Sequence, residues 1–136
     1  MNAHGIVSDL AAGNELAVYV AYARSGQIGK IEAPISGRLL FRRRVGRHIG
    51  HIAVDAVGRI WTTEVDRGRA TITSPSGRVL RRITVPSGPS ALVPVFGWMA
   101  VAGHGVLTLI AVPSESLRET VPVGSGTRGV AFSAVA

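Results

Sequence analysis

Apolar residues along the chain fall into short runs that are separated by Gly, Pro or Ser. In the middle of the sequence four such runs follow one another, HIAV, RIWTTEV, RATIT and VLRRITV. Apolar and polar residues alternate within a run, or the run is apolar throughout, as is typical of β-strands. No segment carries the 3.6-residue apolar period of a long helix. The pattern predicts an all-β fold of short antiparallel strands joined by tight turns.

The strand pattern repeats along the chain, and each repeat holds four strands within about 40 residues, which is typical of a β-propeller blade. The repeats cover residues 5–50, 51–90 and 91–128, and residues 129–136 begin another. The positions that match by spacing are Trp61 with Trp98, Gly68 with Gly105, Ile72 with Ile110, and Gly26 with Gly68. We expect each Trp to pack between neighbouring blades.

The predicted architecture is an incomplete ring, because the chain supplies three blades and the first strand of a fourth. Closed propellers have 4–8 blades. Residues 1–136 are therefore expected to form a single partial β-propeller domain, either a fragment of a longer propeller or a protomer that completes a ring with copies of itself. In either case apolar surface at the open blade edges predicts association with the chain's own copies or with a protein partner.

Charge adds one further hypothesis. The formal net charge is +7, and the densest basic cluster is FRRRVGRH, residues 41–48. Arg42, Arg43, Arg44 and Arg47 could neutralise phosphates of a nucleic acid. Few aromatic residues lie nearby to stack on bases, however, and Arg on an edge strand also discourages edge-to-edge pairing of sheets. We favour the second interpretation and expect no nucleic-acid partner.

The N-terminal region shows neither a signal peptide nor a membrane span. It lacks a basic start followed by an unbroken apolar core. The longest apolar run, LAVYVAYA, is too short to cross a membrane. We expect a cytoplasmic protein or one with a truncated N-terminus. The absence of Cys excludes disulfides and thiolate metal sites in this sequence.

The second repeat, GHIAVDAVGRIWTTEVDRGRATITSPSGRVL, resembles a blade of the streptogramin (virginiamycin B) lyase group. The third, LTLIAVPSESLRETVPVGSGTRGVAFS, is closer to the YVTN-type surface-protein repeat and is similar to NHL and SMP-30-like propellers. The resemblance implies a propeller. It also implies, as an alternative function, an Mg²⁺-dependent carbon–oxygen lyase that inactivates streptogramin B antibiotics and needs further blades to complete its site.

The lyase resemblance implies a catalytic His before the Gly that opens an inner strand, and a Glu fourteen positions later in the same blade. His4 matches the His and Glu64 matches the Glu, but they belong to different blades. Tyr22 stands where the first blade should carry its Glu, and Gly50 stands where the second should carry its His. We therefore expect a non-catalytic binding or assembly module, with no cofactor unless the lyase alternative holds.

Loop residues supply the candidate binding groups. His4, Arg67, His104 and Arg128 are predicted to lie in turns on one rim of the central channel, where they suit a small anionic ligand. The alternative is that they are solvated loop residues. Glu64 is interpreted as a turn cap or as the partner of an Arg in the next blade, and His48 and His51 as surface residues. The four His lack metal-ligand spacing, so no metal site is expected.

Overall fold

The computed structural model describes residues 7–12, 17–32, 36–85, 88–116 and 118–124. They form three four-stranded antiparallel sheets, which confirms the predicted fold class. The strands of blade 1 are β1 Val7–Ala12, β2 Ala17–Tyr22, β3 Gln27–Glu32 and β4 Leu39–Arg44. Those of blade 2 are β5 Ile52–Val54, β6 Ile60–Glu64, β7 Arg69–Thr73 and β8 Val79–Thr84. Those of blade 3 are β9 Pro89–Val95, β10 Trp98–Gly103, β11 Val106–Ala111 and β12 Arg118–Pro122.

Within each sheet the strands lie in chain order, and the first strands lie side by side between sheets. β5 contacts β1 on one side and β9 on the other, while β4, β8 and β12 form sheet edges. The predicted opening strand at residues 129–136 lies outside the described residues. Among the residues described, no helix is long and apolar enough to cross a membrane.

The same glycine turn joins the second and third strands of every blade. Gly26, Gly68 and Gly105 all adopt positive φ and end this turn. Their carbonyl oxygens accept hydrogen bonds from the backbone N–H groups of Val45, Val85 and Val123, respectively. A Cβ on Gly26 would collide with the carbonyl oxygen of Gly46, so the turn requires glycine there. The sequence matches of Gly68 with Gly26 and with Gly105 are thus confirmed.

This turn is shorter in blade 3 than in blade 2, which shifts the alignment of the strands before it. In blade 2 the turn is closed by the pair Glu64–Arg69, and in blade 3 by the pair Gly103–Val106. Gly103 therefore occupies the position of Glu64. Tyr22, which pairs with Gln27, occupies the same position in blade 1, as the sequence indicated.

The predicted equivalence of Trp61 and Trp98 is consequently wrong. Counted back from the turn, Trp61 corresponds to Tyr19 and Ala100. The match of Ile72 with Ile110 is also wrong by one residue, since the two side chains enter the same core from opposite blades. A constant sequence spacing could not reveal the shorter turn.

Two apolar cores separate the blades, and we call them seam 1–2 and seam 2–3. Trp61 is fully buried in seam 2–3, which confirms its expected place between blades. The buried members of seam 1–2 are Ala17, Tyr19, Ala21, Ile28, Val45, Ile49, Ile52, Val54 and Ile60. Those of seam 2–3 are Ala53, Trp61, Ala70, Ile72, Ile83, Val85, Met99, Val101 and Ile110. Alternate residues of blade 2 thus face opposite neighbours, as a strand's two-residue period requires.

Candidate functional site

Glu64 lies at the bottom of a cleft of about 230 Å³ where the connection from blade 1 to blade 2 meets the turn after β6. Glu64 is 2% exposed. Arg47, His48, Asp66 and Arg67 complete the cleft. The structure therefore brings together two of the candidate residues, Glu64 and Arg67.

The carboxylate of Glu64 is already engaged by basic groups. Its Oε1 accepts a hydrogen bond from Nε of Arg69 at 2.8 Å. Its Oε2 lies 3.7 Å from Nε of Arg67 and 3.5 Å from the backbone nitrogen of Arg47. The interpretation of Glu64 as the partner of an Arg is thus correct, but the partners are in its own blade rather than the next. The expected turn cap is not formed, because no side-chain cap hydrogen bond starts the turn Val65–Arg67.

These surroundings do not fit Mg²⁺. Both oxygens of Glu64 face cationic or N–H donor groups, and a metal ion would have to displace Arg69 and lie close to Arg47 and Arg67. Within the described ranges no group of three or more His, Asp or Glu side chains could hold a metal ion. The described residues therefore supply no magnesium site.

The remaining candidates of the predicted rim are not assembled around this cleft. His104 is exposed in the turn Gly103–Val106 of blade 3, where its imidazole packs over Gly88. This turn is equivalent in topology to the turn that carries Arg67, but His104 does not line the cleft. His4 and Arg128 lie outside the described residues. His48 is exposed as expected, yet it lines the cleft.

A second charged cluster, which the sequence analysis missed, joins blades 2 and 3. The guanidinium of Arg59 donates to Asp55 at 2.9 Å and to Glu115 at 2.7 Å. The oxygen of Asp55 that Arg59 contacts, Oδ2, also accepts a hydrogen bond from Nε1 of Trp61 at 2.8 Å. Arg81 adds a contact of 3.3 Å to Glu115. We call Asp55, Arg59, Arg81 and Glu115 the charge clasp.

Both carboxylates of the charge clasp are buried. Burial alone would lower the pKa of Arg59, but the hydrogen bond to Glu115 and the charges of Asp55 and Glu115 outweigh it, so the pKa of Arg59 lies above its usual value. The clasp is therefore an ionic contact between blades 2 and 3, centred on Arg59. Sequence reasoning could have found the short turn from Asp55 to Arg59, but not Glu115, which is distant in sequence.

The basic cluster at residues 41–48 lies mainly on β4, the edge strand of blade 1. Arg42 stacks on the ring of Tyr22, 3.8 Å from its centre, and donates to Gln27. Arg43 lies 5.5 Å from the ring centre of Phe41. These placements agree with charged residues along a sheet edge, and the guanidinium of Arg42 is occupied by its own blade.

The outward face of blade 1 exposes an apolar position that packs into a seam in the other two blades. Leu10 pairs with Val20, and Ile52 pairs with Thr62. Val20 and Thr62 are equivalent, because each lies two residues before the end of its blade's second strand. Leu10 is 62% exposed, whereas Ile52 is 5% exposed and packs in seam 1–2. The equivalent Leu92 of blade 3 packs against seam 2–3.

Blade 3 shows the same contrast on its opposite face. Val121 pairs with Leu107, and Ile83 pairs with Ala70. Leu107 and Ala70 are equivalent, because each is the second residue of its blade's third strand. Val121 is 43% exposed, whereas Ile83 is 5% exposed in seam 2–3. Because side chains alternate along a strand, a set of apolar residues shares this outward face. Ala100 and Ala102 are buried, and the other members are partly buried or exposed. The set consists of Ala91, Val93, Val95, Trp98, Ala100, Ala102, Leu107, Leu109 and Val121.

Comparison with known proteins supports the fold and does not assign a family. No family model and no curated protein matches the chain. Among solved structures, virginiamycin B lyase from Staphylococcus aureus matches with a TM-score of 0.81 and 17% identity, over 97% of this chain and 47% of that chain. A streptogramin B lyase matches with a TM-score of 0.76 and 11% identity, over 92% and 43%.

Propellers of another kind match as well. The WD40 repeats of RRP9 align with a TM-score of 0.75 and 18% identity, over 89% of this chain and 40% of that chain. The chain thus has the propeller fold and spans less than half the length of each of these three structures.

Proposed function

We propose that this chain is a non-catalytic propeller segment that acts as a binding and assembly module through the outward faces of blades 1 and 3. The observation that carries the proposal is the exposure of Leu10 and Val121 at positions where Ile52 and Ile83 are buried. Exposed apolar surface of this kind favours association, at about 25 cal/mol for each Å² removed from water.

The architecture favours further blades as the surface that covers these faces. A four-stranded sheet has two faces, and a propeller buries both by stacking blades around a ring. Blade 2 is covered on both sides, by seam 1–2 and seam 2–3. Propeller blades or another β-sheet of complementary shape would cover blades 1 and 3 in the same manner.

Sedimentation velocity over a range of concentrations tests this proposal. The wild-type chain is expected to associate, and the double variant Leu10→Arg/Val121→Arg is expected to remain a monomer with an unchanged circular dichroism spectrum. The matched control is Val57→Arg, because Val57 is 54% exposed but lies in the turn after β5. A wild-type chain that stays a folded monomer of 14.2 kDa at all concentrations contradicts the proposal.

The cleft above Glu64 is the proposed place for a small anionic ligand. Arg69 forms the short ion pair with Glu64, at 2.8 Å, and Arg67 only a long one, at 3.7 Å, so Arg67 together with Arg47 would bind a carboxylate or phosphate in the cleft. Calorimetric titration with inorganic phosphate should detect binding that Arg67→Ala weakens. Arg78→Ala, an exposed Arg outside the cleft, is the control. Equal binding by both variants removes this ligand from the proposal.

The lyase alternative keeps one supporting observation, the location of Glu64 in a cleft on the turn side of blade 2. Its ion pairs with Arg69 and Arg67 and the surroundings unsuited to Mg²⁺ make it the weaker candidate. Incubation with a streptogramin B antibiotic and Mg²⁺ tests it. Magnesium-dependent loss of the antibiotic that Glu64→Gln abolishes, at unchanged folding, would replace the non-catalytic proposal.

A further inference from the structure

We propose that the partner of the outward faces is a second copy of this chain, bound head to tail, so that blade 3 of each copy packs on blade 1 of the other. This inference rests on the proposed function and names its partner. Two copies with three sheets each give a ring of six blades, within the 4–8 of closed propellers.

The residues that meet in this new seam follow from the positions that meet in the existing ones. Leu10 would enter the core made by blade 3 of the second copy, as Ile52 enters seam 1–2. Val121 of that blade 3 would face blade 1 of the other copy, as Ile83 of blade 2 faces blade 3 in seam 2–3. Apolar side chains thus meet apolar side chains in the same register as in the interior of the molecule.

A recurring backbone contact at the sheet edge extends to the new seam. Arg82 of β8 donates to the carbonyl oxygen of Val45 in the preceding blade at 3.2 Å. Arg42 occupies the position of Arg82, because their partners Gly29 and Thr71 are both the third residue of the third strand. Val123 occupies the position of Val45, as its hydrogen bond to Gly105 shows. The geometry therefore places Arg42 of one copy opposite the carbonyl of Val123 of the other, and forming this contact would require Arg42 to give up part of its present contacts with Tyr22 and Gln27.

Tyr22 supplies a polar group at the same end of the seam. At the equivalent position of blade 2, Glu64 packs against Gly46, with Oε1 only 2.7 Å from where a Cβ on Gly46 would lie. Tyr22 is buried, and its hydroxyl has no hydrogen-bond partner in the described part of the chain. Gly124, next to Val123, is the counterpart of Gly46, and a Cβ there would meet no atom within 4 Å. In the new seam Gly124 of one copy would lie beside Tyr22 of the other, as Gly46 lies beside Glu64.

The charges at the other end of the seam are complementary. In seam 2–3, Arg81 of blade 2 reaches Glu115 in the loop between β11 and β12. Glu119 occupies the position of Arg81, because it pairs with Leu109 as Arg81 pairs with Ile72. In blade 1 the corresponding loop ends at Arg38, whose side chain is 69% exposed and forms a long ion pair of 3.9 Å with Glu32. The acid and the base have changed sides, so Glu119 and Arg38 would attract each other.

Complementation of two blocked variants tests the head-to-tail arrangement. Leu10→Arg blocks blade 1 and leaves blade 3 intact, and Val121→Arg does the reverse. Each variant alone is expected to be a monomer in sedimentation velocity, and an equimolar mixture is expected to form a dimer. Homodimers of Val121→Arg alone would overturn the inference in favour of blade 1 packing on blade 1, and would leave the proposed function standing.

A charge exchange tests the register within the seam. Glu119→Arg and Arg38→Glu should each raise the dimer dissociation constant about tenfold at low salt, because each ring contains the pair twice. The double variant should recover wild-type affinity. Association of the wild type into a species other than two copies, or failure of the double variant to recover, would overturn the inference. Absence of any association would instead overturn the proposed function.

Discussion

Blade 2 has a neighbour on each side, whereas the outward faces of blades 1 and 3 have none among the described residues. The three blades have the same strand order, and in each a glycine with positive φ ends the turn between the second and third strands. The difference between Ile52, which is buried, and Leu10, which is exposed, is therefore a difference of surroundings and not of local structure. The comparison indicates that the outward faces carry the residues of a packed interface between blades, but no sheet among the described residues packs on them.

The largest effect is expected from breaking a filled seam. Trp61→Ala should lower the free energy of unfolding by about 3–5 kcal/mol, because it empties a fully buried site and removes the hydrogen bond to Asp55. Trp98→Ala, on the outward face of blade 3, should cost less than half as much. Urea denaturation, in a Val121→Arg background to keep the chain monomeric, measures both. Equal losses would contradict the distinction between filled and open surfaces.

The next effect compares one position in two blades. Ile52→Ala should cost about 2–4 kcal/mol in the same monomeric background, because the side chain leaves a cavity in seam 1–2. Leu10→Ala should change stability by about 0.5 kcal/mol or less, because little apolar contact is lost. In the wild-type background, Leu10→Ala should weaken association while the chain stays folded. Ile52→Ala should act mainly by destabilising the fold.

A smaller effect is expected from the charge clasp. Glu115→Gln removes the charge that Arg59 and Arg81 share, and we expect a loss of about 2–3 kcal/mol in thermal or urea unfolding. The matched control is Glu119→Gln, an exposed acid on the adjacent strand, with an expected change within about 0.5 kcal/mol when both variants are measured in the monomeric Val121→Arg background. If Glu115→Gln leaves the free energy of unfolding unchanged, seam 2–3 depends on its apolar core alone.

The smallest effect concerns the cleft. Glu64→Gln should cost about 1–2 kcal/mol, since it weakens the charged contact with Arg69 while the amide keeps one acceptor. Asp66→Asn, an exposed acid of the same cleft, serves as the control and should leave unfolding unchanged. A gain in stability for Glu64→Gln would mean that Glu64 is held in the cleft at a cost, as a functional carboxylate would be.

The fold was predictable from the sequence because strand alternation and turn residues are local signals. The match of Gly68 with Gly105 marks the same turn in two blades, and the structure confirms it. The second strands were misaligned because the turn before Val106 is shorter than the turn before Arg69. A fixed spacing cannot detect this change and therefore predicts Trp98 as the counterpart of Trp61.

The candidate site was only partly predictable. The pairing of Glu64 with an Arg was expected, but the partner Arg69 becomes a neighbour only when β6 and β7 form a hairpin. The contact between Arg59 and Glu115 joins residues far apart in the chain and depends on how blades stack. Such contacts follow from tertiary structure, and the residue pattern of one blade does not contain them.

The measurement that tests the central claim most directly is hydroxyl-radical footprinting of Leu10 and Val121 as the protein concentration is raised. Ile52 is the internal reference, because it is buried in the same position of blade 2. The account predicts that both exposed side chains lose reactivity towards the level of Ile52 over the concentrations at which the chain associates. Association with Leu10 and Val121 still fully reactive would contradict it.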